Sequence, residues 1–86
     1  MPYIKQDLKN YYKDLIDLMK LKNISGPGDL NYLITKLALI YIESNGENYQ
    51  HYNDVVGALE GAKLELYRRK IGPYENKKIE ENGEVY

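Results

Sequence analysis

Apolar side chains recur along this chain at intervals of three and four, the period of an amphipathic helix. Ile4, Leu8, Tyr11, Tyr12, Leu15, Leu18 and Met19 fall on one stripe, with Lys9, Lys13, Asp17 and Lys20 opposite, which predicts a first helix over about 4–22. The segment from Asn23 to Asp29 holds Ser25, Gly26, Pro27 and Gly28 and reads as a loop. Asp29 is a natural N-cap, because its carboxylate accepts from free backbone N–H groups. A second helix is predicted over about 29–44, with Leu30, Leu33, Ile34, Leu37, Ala38 and Tyr41 as its main stripe. Tyr32 and Leu39 fall on the other side, and Ile42 widens the apolar surface further. A helix apolar on two faces is either central to a domain or shared with another chain.

Asn45-Gly46 carries a C-cap signal. Asn53 or Asp54 is the expected cap of a third helix over about 53–71, with Val55, Ala58, Leu59, Ala62 and Leu66 turned to a core. Gly57, Gly61, Leu64 and Arg68 line another of its faces. Each glycine costs about 1 kcal/mol against alanine inside a helix, so two of them one turn apart point to close approach of another backbone. Gly72-Pro73 is the expected stop of this helix. A short fourth helix follows over about 74–81, then a tail at 82–86. The expected fold is all-α: one domain over residues 1–86, a small bundle of three main helices with a short C-terminal helix and tail.

Composition narrows what such a bundle does. The chain has 86 residues and no cysteine, which excludes disulfides, thiolate metal sites and thiol nucleophiles. So short a chain buries a limited share of its surface, and without disulfide or metal the usual remaining staple is oligomerisation. A homo-oligomer, in the first place a homodimer, is expected, with Tyr32, Leu39, Gly57, Gly61 and Leu64 at its interface. The net charge is −1, which disfavours duplex nucleic acid as a partner. The longest apolar run, Leu37 to Ile42, is far too short to span a bilayer. With no apolar leader in the opening residues, a cytoplasmic location and no membrane partner are the expectation.

The chemistry-bearing residues are few. His51 is the only histidine and has no metal-ligand spacing around it, so it reads as a surface or cap residue, and neither metal nor cofactor is expected. Asp7 and Asp14 share a helix side but stand about 10 Å apart along the axis. Glu60 and Glu65 do not share a face. Neither pair is placed for acid–base work. Gly26-Pro27-Gly28 lacks the Lys-Ser/Thr of a phosphate loop. The best polar cluster is Tyr67-Arg68-Arg69-Lys70. At the C-terminal end of a helix these cations are favoured by the dipole, and Glu65 is placed to pair with Arg69. The alternative is a patch binding an anionic ligand or an acidic partner surface, where guanidinium groups and a phenol work together.

Four segments carry a resemblance: residues 1–4 (Met-Pro-Tyr-Ile), residues 28–37 from Gly28 to Leu37, residues 53–69 from Asn53 to Arg69, and residues 73–86 from Pro73 to Tyr86. Together they resemble a family of small proteins of unknown function from tailed phages and prophages. The resemblance spans nearly the whole chain. It implies an accessory protein acting in the cytoplasm of a bacterial host, and it brings no catalytic residues with it. The expected function is non-enzymatic binding of a host protein or small ligand, including counter-defence. The alternative is binding or sequestration of a nucleic acid or signalling nucleotide.

Overall fold

A computed structural model describes residues 2–86. It is all-α, with no strand among the described residues. The elements are α1 (Gln6–Tyr11), α2 (Lys13–Lys22), α3 (Pro27–Asn45), α4 (Tyr49–Leu66), a π-helical turn (Tyr67–Ile71) and α5 (Gly72–Asn82). The chain gathers into two compact units, the first of residues 3–55 and the second of residues 56–86 together with Pro2.

In the first unit, the single helix expected over 4–22 is interrupted at Tyr12. Its backbone sits at φ −92° and ψ 0°, and its N–H is shared between the carbonyls of Leu8 and Lys9, both at 3.2 Å. Such three-centre bonding is common where a helix ends. α2 ends on Asn23 at φ 53°, a left-handed position that asparagine tolerates better than most residues. α3 begins two residues before the expected cap. Pro27 occupies its first turn with Gly26 as N-cap, where the missing proline N–H is no loss and its fixed φ favours the helix. Asp29 therefore lies inside the first turn and complements the dipole without capping. Gly46, at φ 100°, ends α3 by donating its N–H to the Ile42 carbonyl at 2.8 Å.

α4 starts at Tyr49, a full turn before the expected caps. Asn48 takes that role: its side-chain oxygen accepts the His51 N–H at 2.8 Å, the geometry of an N-cap. The break expected at Gly72-Pro73 does not occur. Proline has no N–H to donate, and its ring presses on the carbonyl one turn back. The chain relieves both by winding residues 67–71 in a wider turn, in which Gly72 donates its N–H to the carbonyl of Tyr67, five residues earlier. Pro73 then stands in the first turn of α5, where proline fits. The third and fourth helices of the sequence pattern are thus joined. α5 ends where Gly83, at φ 89°, donates to Ile79, and residues 83–86 carry no regular secondary structure.

The stripes read as a core are not enclosed. None of the described residues is buried. Met19, Ala38, Ile42, Val55 and Ile71 are half-buried, while Leu30, Leu37, Leu39 and Leu64 are exposed by half or more.

The π turn makes Gly72 unlike the helical glycines Gly28 and Gly57. A Cβ there would stand 3.2 Å from the Tyr67 carbonyl oxygen, whereas one on Gly57 meets nothing within 4 Å. In urea unfolding followed by circular dichroism, Gly57→Ala should gain about 0.5–1 kcal/mol, and Gly72→Ala should gain nothing or lose stability. Equal gains would show that the turn yields freely at Gly72.

Candidate functional site

The cationic cluster lies on the π turn. Tyr67, Arg68, Arg69 and Lys70 are all exposed there, and Ile71 is half-buried. Because α5 continues the helix, these cations do not stand at a helix C-terminus, and the dipole account of their position does not hold. Glu65 pairs with Arg68 rather than with Arg69. The Arg68 guanidinium reaches one Glu65 oxygen through Nη2 at 2.6 Å and the other through Nε at 3.4 Å, so both arms of its fork are used. Glu65 is the more enclosed partner, with a side chain 19% exposed against 63% for Arg68. The turn presents three cations in succession to solvent, with the Tyr67 ring at one end and Tyr74 at the other. The Tyr74 ring carries the Lys78 ammonium 5.5 Å from its centroid.

A second polar group closes the corner between α3 and α4, within the first unit. The Tyr41 hydroxyl donates to Asp54 Oδ2 at 3.0 Å, and Gln50 Nε2 donates to Asp54 Oδ1 at 2.8 Å. His51 Nδ1 lies 2.7 Å from the Gly46 carbonyl oxygen, and its ring meets that of Tyr41 edge-on at 6.1 Å. The Tyr52 hydroxyl donates to Glu47 Oε2 at 3.0 Å. His51 is thus a corner residue. Asp54, expected as a cap, is the acceptor that ties α4 back to α3. The hydrogen bond to Asp54 raises the Tyr41 phenol above its ordinary pKa, with help from desolvation and the carboxylate's charge. Glu47 does the same for Tyr52.

The expected interface residues are open in both units. In the first, Tyr32 is 61% and Leu39 55% exposed; Tyr32 also carries the Lys36 ammonium 5.6 Å from its ring centroid. In the second, Leu64 is 59% exposed and Gly61 is half-buried. Gly57 has open space where a side chain would be, so no other part of this chain packs against it and that face is left open. Between the end of α2 and the start of α3 lies a shallow cavity of about 400 Å³, lined by Met19, Ile24, Tyr32 and Leu33 with Lys22 and Asp29 at its polar edge. Among the described residues no group of three or more His, Asp or Glu could hold a metal ion, and no helix is long and apolar enough to cross a membrane.

Two site features escape the periodicity. The corner network joins Tyr41 to Asp54, thirteen positions apart, and no helical spacing announces it; Asn48, three residues before His51, was the available cue. The π turn was hidden behind a proline that ordinarily ends a helix.

The corner makes a pH prediction. A phenol whose folded pKa is raised stabilises the fold below its unfolded pKa and loses that contribution as pH rises through the folded value. Helicity should therefore hold at neutral pH and fall in strongly alkaline solution, above about pH 10. A Tyr41→Phe/Tyr52→Phe chain should show a shallower alkaline loss, read by circular dichroism alongside tyrosinate absorbance. An unchanged alkaline profile would remove the two phenols from the account.

Comparison with known proteins adds a family and nothing more specific. No curated protein and no solved structure matches the chain. Residues 1–85 match a domain of unknown function, DUF6899. With nearly its whole length covered, the chain belongs to the DUF6899 family.

Proposed function

We propose that this protein is a non-enzymatic binding protein that associates with itself and contacts its partner through the π turn. The observation that carries the reading is the exposed run Tyr67-Arg68-Arg69-Lys70, held on a wide turn in mid-helix rather than spent on a helix terminus. π turns inside α-helices recur at functional sites. Guanidinium and ammonium groups beside phenol rings suit a carboxylate-rich protein surface or a small anionic ligand. The proposed setting is the cytoplasm of a bacterial host, with the protein as a phage or prophage accessory factor, counter-defence included. The sequence resemblance supports that setting.

A nucleotide or nucleic-acid phosphate is the second reading. What favours it is the pair of exposed rings, Tyr67 and Tyr74, bracketing the cations, since bases stack on such rings while cations take the phosphates.

The test is calorimetric titration with three probes: a polyglutamate peptide, inorganic pyrophosphate and a short single-stranded oligonucleotide. One or more of the three is expected to bind the wild-type chain. Arg69→Glu/Lys70→Glu should weaken that binding by tenfold or more while helicity stays unchanged. Phosphate-driven oligonucleotide binding should weaken steeply with salt. Binding of none of the three at millimolar concentration, or binding indifferent to the substitutions, overturns the reading.

A further inference from the structure

We infer that α3 pairs antiparallel with α3 of a second copy of this chain, about a two-fold axis between Leu39 and Ile40, with Lys36 of each copy against Glu43 of the other. The inference rests on the self-association proposed above and gives it a surface and a register.

α3 is apolar on nearly all sides, a composition that belongs inside a protein rather than on its surface. Yet Tyr32, Leu33, Ile34, Leu37, Leu39 and Ile40 are all exposed by more than a third. In proteins most of a helix's stability comes from packing its apolar face. Such a face suits a cover, and the charges on the helix say which one fits.

α3 carries only three charged side chains, Asp29, Lys36 and Glu43. They are spaced by sevens, so they drift only about 20° per step and stand on one line along the helix. Leu39 and Tyr32 flank that line on one side, Ile40 and Leu33 on the other. The signs alternate: negative, positive, negative. A parallel, in-register copy would set like against like at every position. An antiparallel copy centred on Lys36 would set Lys36 against itself and Asp29 against Glu43. Centred between Leu39 and Ile40, an antiparallel copy sets Lys36 opposite Glu43 twice and Leu39 opposite Ile40 twice. The two-fold arrangement is self-complementary, as an isologous interface requires.

The surroundings agree with this register. The N-terminal part of the line is next to α2, where Asp29, Tyr32 and Leu33 border the cavity. The C-terminal part, from Lys36 to Glu43, lies clear of it. Lys36 makes a ring contact with Tyr32 on the same face, so its ammonium is already held over the line. Its aliphatic stem can lie along the apolar flank while the head reaches a carboxylate.

Charge exchange on the full chain tests the register. The wild type should dimerise at micromolar concentration in sedimentation equilibrium. Lys36→Glu alone creates two acid–acid contacts, and Glu43→Lys alone two base–base contacts. Each should raise the dimer dissociation constant about tenfold or more, as expected when two ion pairs become two repulsions. The double exchange Lys36→Glu/Glu43→Lys in one chain should restore dimerisation. An equimolar mixture of the two single variants should form a heterodimer tighter than either homodimer, with circular dichroism confirming that both are helical. A wild type that stays monomeric overturns self-association and this register together. A wild type that associates while the variants behave like it overturns the register alone, and so does a failure of the double exchange and of the mixture to recover association.

Discussion

Backbone hydrogen bonding is the constraint on which this structure rests. No described side chain is buried, so what holds each element is the ladder of N–H groups donating to carbonyls a few residues back. The departures at proline and glycine sit where that ladder cannot be continued unchanged. Pro27 lacks a donor and stands in a first turn, where none is needed. Gly46 and Gly83 take positive φ and close the last turns of α3 and α5. Pro73 also lacks a donor but falls in mid-helix, and there the ladder shifts register by one residue and continues. The π turn is the chain's way of keeping Gly72 bonded while accommodating the proline ring.

That shift decides what surrounds the cations. Had the helix ended at Ile71, three cations at its terminus would have been accounted for by carbonyls and dipole. With the helix carried into α5, they face solvent from a mid-helix turn. Only Arg68 is bound back, through Glu65. The same constraint shapes α3. Its backbone forms its own ladder, Leu37, Leu39 and Ile40 stay open to solvent while Ala38 and Ile42 are half-buried, and its few charges repeat with a symmetry that suits a copy of itself.

Much of the helical content was legible from residue spacing. α3 falls almost where the stripe from Leu30 to Tyr41 places it, and α4 and α5 lie where apolar and charged runs locate helix. The boundaries were less legible, because caps compete. Asp29, Asn53 and Asp54 are all good caps in isolation, yet Gly26 and Asn48 do the capping. Asp54 is instead drawn to Tyr41 and Gln50. Proline and glycine together at 72 and 73 were ambiguous for a similar reason. The pair ends an α-helix but permits a π turn, and the choice depends on whether the carbonyl five residues back can be reached.

The residues by themselves determined the all-α class, the lack of thiol chemistry, the cationic segment and the alternating charges on α3. These follow from helical periodicity and side-chain type, which need no knowledge of what packs where. Only the three-dimensional structure decided that α4 runs into α5, that Glu65 holds Arg68 and leaves Arg69 outside that pair, that Tyr41 and Asp54 close the corner, and that the apolar stripes remain open to solvent. Those outcomes depend on distances between groups that compete for the same partners, and a linear pattern lists the competitors without ranking them.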